Sequence, residues 1–276
     1  MIKFFLVSIN NEKIAYKVSK DGAIFYDSPK ALMTRNLVDY FNEEDRDKIL
    51  SLCDISNNSK LKTKESYLLV LIFALFLSCL FSAIPLSQTK SFIFNSIQPA
   101  GILIFPLTFI FLDTINEVFG RKQGRLAVYT ASACMAISAA FITISLNFIV
   151  QQTTEHDSFI TVFKELPKLL IINSLCVLIA DTVNNFTYNL LKGYLRGKLL
   201  ALRCYCSTLI GQFFYSITWI FLFFFEKLST EEKISYIFAN YGFKVLYGLA
   251  VCTPLTLLTV YIVKRVLYKG YVDTIE

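Results

Sequence analysis

Asp113, Asn116 and Glu117 stand at i, i+3 and i+4 in an apolar run that starts Phe105-Pro106-Leu107-Thr108-Phe109. On a helix that spacing puts all three on one face. A second run repeats the pattern: Asp181-Thr182-Val183-Asn184-Asn185-Phe186 reads against Asp113-Thr114-Ile115-Asn116-Glu117-Val118. A third apolar run carries Gln212, Tyr215, Ser216 and Trp219 at i, i+3, i+4 and i+7, and a fourth carries Lys244 and Tyr247. A charge at the centre of a bilayer costs at least ~2.5 kcal/mol, so such residues face a cavity or a partner. Gathered round one pocket, these groups would bind rather than react. A carboxylate accepts two parallel N–H bonds, amides and a lysine donate to a carbonyl, and rings stack on a flat face. A planar base with an N–H edge and an oxo group suits that set better than a sugar or a simple ion. Asp113 or Asp181 could also carry a coupling proton. Each group has a plainer reading. The amides could be interhelical glue worth ~0.6 kcal/mol apiece, Tyr215 and Trp219 could be packing aromatics, and Asp113, Asp181 and Lys244 could form a structural ion pair.

The elements that must hold these residues are membrane helices. The 276 residues are 55% hydrophobic and only 17% charged, with a mean hydropathy of +0.53. A soluble domain runs nearer ~45–50% and ~25%. About 20 apolar residues cross a bilayer, and six segments qualify: 66–86, 99–119, 126–150, 166–191, 205–225 and 241–263. The last could begin earlier, because 236–239 is also apolar, and Lys244 would then lie deep rather than snorkel at the surface. Between the first two spans, 91–95 reads as a loop or partial re-entrant turn. The two acidic spans, second and fourth, run in the same direction and are each followed by a basic loop with two glycines four apart, Gly120 and Gly124, then Gly193 and Gly197. They read as a parallel internal repeat of the kind whose interface houses transporter sites.

Basic residues alternate between the loops. Arg121, Lys122 and Arg125 follow the second span, Lys192, Arg196, Lys198 and Arg203 the fourth, and Lys264, Arg265 and Lys269 the sixth. The third and fifth loops are acidic instead, with Glu155, Asp157, Glu165, Glu226, Glu231 and Glu232. Basic loops stay cytoplasmic, which places both termini inside. Residues 1–64 are polar and hold eleven of the 27 Lys and Arg. The run 4–9 is too short and interrupted for a signal-peptide core. Asp21-Gly22 between 13–20 and 23–26 marks a hairpin turn, and Ser28-Pro29 reads as a helix N-cap and first position. The expected fold class is therefore an all-α polytopic membrane protein with six transmembrane helices, both termini cytoplasmic, and a small N-terminal α+β appendage. Residues 1–64 form the appendage (a β-hairpin plus helix), 65–266 the transporter, and 267–276 a cytoplasmic tail.

Composition and spacing reach a transporter of a small polar solute. The stretch Phe105 to Phe109 through Asp113, Glu117, Val118, Phe119, Gly120 and Arg121 also resembles the signature of the queuosine precursor transporter family, 7-deazaguanine importers of the vitamin-uptake-transporter-like group. Phe186 to Lys192, Ser207-Thr208-Leu209-Ile210-Gly211-Gln212 and Tyr241-Gly242-Phe243-Lys244-Val245-Leu246 agree in order. The resemblance covers about 66–265 and not the N-terminal segment. It implies six helices in a cell inner membrane and import of 7-cyano-7-deazaguanine, 7-aminomethyl-7-deazaguanine or queuine for salvage into tRNA. Asp113 and Glu117 would take the base's N–H edge, and Asn116, Asp181, Asn184 and Gln212 would shape the pocket. Lys244 would pair an acid or meet the 6-oxo group, with Tyr215 and Trp219 stacking. Two positions depart from the family pattern: Asp181 and Asn184 stand where an amide then an acid is expected, and Tyr215 where an acid is expected. The redistributed acids leave the 7-substituent open.

No cofactor, metal site or nucleic-acid partner is expected. The partners are the 7-deazaguanine and the lipid bilayer, with room for a homo-oligomer. No P-loop, dinucleotide turn, HExxH or Gly-x-Ser-x-Gly motif occurs, so no enzyme is expected, and the lone His156 falls in an outer loop. The competing reading is the substrate-capturing subunit of a multi-subunit vitamin or nucleobase importer. Its small-residue docking pattern is weak in the first span (Ala74 and Ser78). The orientation makes a direct prediction: a reporter enzyme fused after Glu276 will be active on the cytoplasmic side, and periplasmic activity alone would reverse the topology.

Overall fold

A computed structural model describes residues 3–10, 13–52, 59–93, 96–148, 160, 163–225 and 229–268. Asn95, Glu155, His156, Asp157, Glu226 and Lys269, all weighed above, lie outside the described residues. Strands β1 (Phe5–Ile9), β2 (Ile14–Lys17) and β3 (Ile24–Asp27) make an antiparallel sheet in that order. The expected hairpin is β2–β3, joined by a turn in which Gly22 N–H donates to Ser19 O. Phe5–Ile9 adds a third strand, with a register shift between Leu6 and Ser8. Helix α1 (Pro29–Thr34) starts at Ser28, whose Oγ accepts from Ala31 N at 3.1 Å, with Pro29 in the first turn. Helix α2 (Glu43–Ser51) is capped the same way by Asn42. Phe4, Ile14, Tyr16, Leu32, Leu37, Tyr40 and Ile49 form a core of this unit's own. It therefore holds one strand and one helix more than a hairpin plus helix.

Among the described residues, six helical segments are long and apolar enough to span a membrane. The first is α3 (Ser59–Leu86). The second is broken: a 3₁₀ turn at Ala100–Leu103 precedes α4 (Leu107–Val118). Pro106 forces the interruption, since it has no N–H to donate. Then come α5 (Arg121–Asn147), α6 (Leu166–Tyr194) and α7 (Leu200–Phe223). The sixth runs from α8 (Thr230–Tyr247) through a π-helical turn, Gly248–Cys252, into α9 (Thr253–Leu267). Pro254 accounts for the wide turn, and Thr253 Oγ1 takes up the Gly248 carbonyl at 2.9 Å. The two breaks meet where Cys252 Sγ donates to Pro106 O at 3.4 Å.

The sixth span starts eleven residues before the expected 241. A capping box at Ser229 and Glu232 nucleates it there. Lys244 thus lies about 21 Å along its helix at 1.5 Å per residue, and it is 4% exposed, so it does not snorkel. The 91–95 segment is also not a plain loop. Lys90–Ile93 and Ser96–Pro99 pair as antiparallel strands β4 and β5.

Lipid is as apolar as leucine, so these helices associate through close packing and polar contacts. Helix α5 turns Ala127, Ala131, Ser132 and Ala139 inward and leaves Leu126, Tyr129, Phe141 and Ile144 outside. Ser132 and Ser174 on α6 lie 2.8 Å apart, Oγ to Oγ, and each donates to the other's carbonyl at 2.9 Å. Helix α6 sits between α5 and α7. The two glycine pairs of the proposed repeat differ in role. Left-handed backbone occurs at Gly120, the first of its pair, and at Gly197, the second of the other.

Gly211 sets the tightest approach of α7. A Cβ there would sit 2.9 Å from Asn184 Cβ and 3.2 Å from the Phe109 ring. Gly211→Val is expected to wedge α7 away from α4 and α6 at a cost of about 1–3 kcal/mol. Thermal melting of purified protein in detergent will read this as a lowered midpoint, and an unchanged midpoint would show that the seam can relax.

Candidate functional site

The polar residues form three levels along the bundle axis. The first is a cleft at the end opposite the basic loops. Its walls are apolar and aromatic, from Ala83, Ile84, Ile102, Phe105 and Trp219, and Ser87, Asn173, Tyr215, Ser216, Asn240 and Lys244 bring polar groups to it. Apolar walls with a few placed polar groups are the usual make-up of a small-molecule site. The polar groups interlock. Lys244 Nζ donates to Ser216 Oγ at 3.2 Å, Ser216 to Asn240 Oδ1 at 3.3 Å, and Asn240 Nδ2 to Gln98 Oε1 at 3.0 Å. Lys244 Nζ also lies 4.5 Å from the Tyr215 ring centre. Tyr215 packs on Phe105 with centroids 3.9 Å apart and donates to Asn173 Oδ1. Trp219 stacks on Phe223 at 4.8 Å.

One to two helical turns inward, α4, α6 and α7 bring together Asp113, Asp181, Asn184 and Gln212. All are buried, the two carboxylates at 1% exposure. Asn184 Nδ2 donates to Asp113 Oδ1 at 3.3 Å. Among the described residues, no lysine or arginine makes a salt bridge to either carboxylate. Both oxygens of Asp181, both polar atoms of Gln212 and the Asn184 oxygen have no hydrogen-bond partner among the described residues. An unpaired buried polar group costs roughly 1–3 kcal/mol, more if charged, so these atoms need a partner, a water or a solute. Their chemistry is specific: acceptor oxygens for N–H donors and one amide that can both give and take.

The third level is an ion cluster at the basic end. Glu117, 2% exposed, meets three cations. Lys192 Nζ lies 3.1 Å and an Arg203 guanidinium nitrogen 2.9 Å from Oε2, and Lys264 Nζ lies 2.9 Å from Oε1. Tyr188 OH donates to Oε2 at 2.8 Å. Arg203 is held in place by the carbonyls of Lys198 and Gly197 at 2.9 and 3.0 Å. Asn116 points into the same level, accepting from Asn189 at 3.1 Å and leaving its own Nδ2 unpaired.

The residues singled out from sequence thus separate. Tyr215, Trp219 and Lys244 line the cleft; Asp113, Asp181, Asn184 and Gln212 lie beneath it; Asn116 and Glu117 stand at the ion cluster. Sequence reading assigned Lys192, Arg203 and Lys264 to loops and tail, where they set orientation. Here they are the partners of Glu117. A signal was present for Lys192. Asp181, Asn184, Asn185, Tyr188, Asn189 and Lys192 follow helical spacing, so the polar face runs on to Lys192. Asn173 and Asn240 carried no comparable mark.

A family model described as a putative vitamin uptake transporter matches residues 99–259, more than half of the chain. No curated protein and no solved structure matches. The matched stretch contains Asp113, Glu117, Asp181, Gln212 and Lys244, and it leaves out Lys264 and the N-terminal unit.

Removing one member of a buried ion pair usually costs about 3–5 kcal/mol, because the remaining charge is stranded. Glu117→Gln strands Lys192 and Arg203 together, so a loss of that size is expected in detergent melting. Lys264→Met, removing the part-exposed member, should cost much less. Equal losses would mean that the cluster is not organised by burial.

Proposed function

Because the chain belongs to the putative vitamin uptake transporter family, we propose that it imports 7-deazaguanine precursors of queuosine across the cell inner membrane. The observation that carries this reading is the unpaired middle level. Both oxygens of Asp181 and the Gln212 amide lie buried beneath an aromatic cleft, with no hydrogen-bond partner among the described residues. A guanine-like base has what those atoms lack. Its N1–H and amino group supply two parallel donors to a carboxylate, its 6-oxo group accepts from an amide or lysine, and its face fits between rings.

A base entering the cleft passes Trp219 and Phe105 and meets Lys244, which its oxo group can draw from Ser216. Its N–H edge then reaches Asp181 and Gln212, with Asp113 and Asn184 one turn below. Both Glu117 oxygens are taken by Tyr188 and cations. Contact of the base with Glu117 therefore follows only once the inner cluster opens, which also makes the cluster the inner barrier of an outward-facing state. The 7-substituent would lie toward Tyr215 and Asn173, where this chain lacks the acid that the resemblance leads one to expect. A neutral 7-cyano group suits that wall better than a cationic aminomethyl group.

The test is restoration of queuosine in tRNA, in a bacterial cell lacking precursor synthesis and its own importer. The three bases are supplied separately at limiting concentration. The chain is expected to restore the modification, most strongly with 7-cyano-7-deazaguanine. Asp113→Asn and Asp181→Asn should abolish uptake at unchanged membrane abundance. Failure with every base would overturn the substrate reading, and retained uptake by Asp113→Asn would remove that residue from the site.

A further inference from the structure

The N-terminal unit lies outside the matched family region, and its contacts fall on one place. Asn36 Nδ2 donates to Glu117 O at 3.0 Å and to Val118 O at 2.7 Å, closing the last turn of α4. Tyr40 OH donates to Asn189 O on α6 at 2.8 Å. Burial pushes the Tyr40 phenol above its ordinary range, so it keeps the proton it donates. Arg196, in the turn after α6, lies 3.9 Å over the Phe25 ring. One small folded unit therefore grips the ends of two helices.

Those two helices also supply residues to both the middle level and the ion cluster. The middle level is built between α4 and α6, by Asp113 and Asn184, and the route from there to the basic end runs past Glu117, Tyr188 and Asn189. The peptide of Glu117 that accepts from Asn36 also accepts from Lys192 Nζ at 3.2 Å. The ion cluster and the N-terminal unit are thus fastened to the same residue from its two sides. Asn36 holds a left-handed backbone, φ 51°, which an asparagine tolerates better than most residues. That conformation aims its amide at α4.

We propose that the N-terminal unit is a latch on the inner gate: while docked, it staples α4 to α6 and keeps the basic end of the bundle shut, and it must lift for solute to leave. The proposal rests on the transport reading but not on the identity of the substrate. Opening would separate the α4 and α6 ends and break the Asn36 and Tyr40 bonds together. Whatever weakens the docking raises the share of molecules open at that end.

Cys204 gives a readout that needs no substrate. It lies on α7 next to Arg203, buried just above the ion cluster. In a background where Cys204 is the only cysteine, the protein is reconstituted in nanodiscs and labelled with a polar maleimide. Asn36→Gly with Tyr40→Phe removes both staples without straining the left-handed residue and should speed Cys204 labelling several-fold. A cysteine placed in the cleft, Ser87→Cys, should label no faster in the same variant. A second variant, Phe25→Leu, removes the ring beneath Arg196 and should by itself speed Cys204 labelling, adding to the effect of the first. Cys204 labelling that ignores both changes would overturn the latch, as would equal acceleration at Cys204 and in the cleft, which means general loosening. Failure to import any 7-deazaguanine would sink the substrate reading and leave this result standing.

Discussion

The basic end of this bundle depends on one carboxylate shared among three cations. Glu117 is carried by a short helix that follows a break at Pro106, and its partners come from α6, α7 and α9. Four helix ends are thereby tied to one point with little water to screen the charges. In a medium without a hydrophobic force between helices, such a node does much of the work that core packing does in a soluble protein. It also divides the molecule. Above it polar atoms lie unpaired, and below it the N-terminal unit adds its own bonds to the peptides of Glu117 and Val118.

The contrast between the levels gives the structure its direction. The cleft is open and its polar groups bond to one another. The middle level is enclosed and short of partners. The ion cluster is enclosed and satisfied. A solute that supplies N–H donors would be drawn from the first level to the second, since there it relieves the cost of bare oxygens on Asp181. It has no such reason to enter the third until Glu117 changes partners. The asymmetry between Asp113, which accepts from Asn184, and Asp181, which accepts from nothing, also bears on the internal repeat. The two acids match in sequence and are both buried, yet they do different jobs, as do the glycines that follow them.

Much of this was legible before any coordinates. Six spans, the one-face spacing of Asp113 and Glu117, the echo at Asp181, and the Ser28-Pro29 helix start all follow from period, composition and capping, which are local properties of the chain. The start of the sixth span was missed because polar residues from Thr230 to Lys233 hid a helix that a capping box begins. The third strand was missed because Phe5–Ile9 pairs with β2 across a register shift. What the sequence by itself determined is that anionic and amide side chains would be kept inside apolar helices, where they must find partners. Only the tertiary structure decided which ones. Lys192, Arg203 and Lys264 went to Glu117, nothing went to Asp181 and Gln212, and Asn36 went to the end of α4. Helical period says which face a residue occupies, but pairing is set by how far helices from distant parts of the chain approach and rotate, and that is a property of the whole packing.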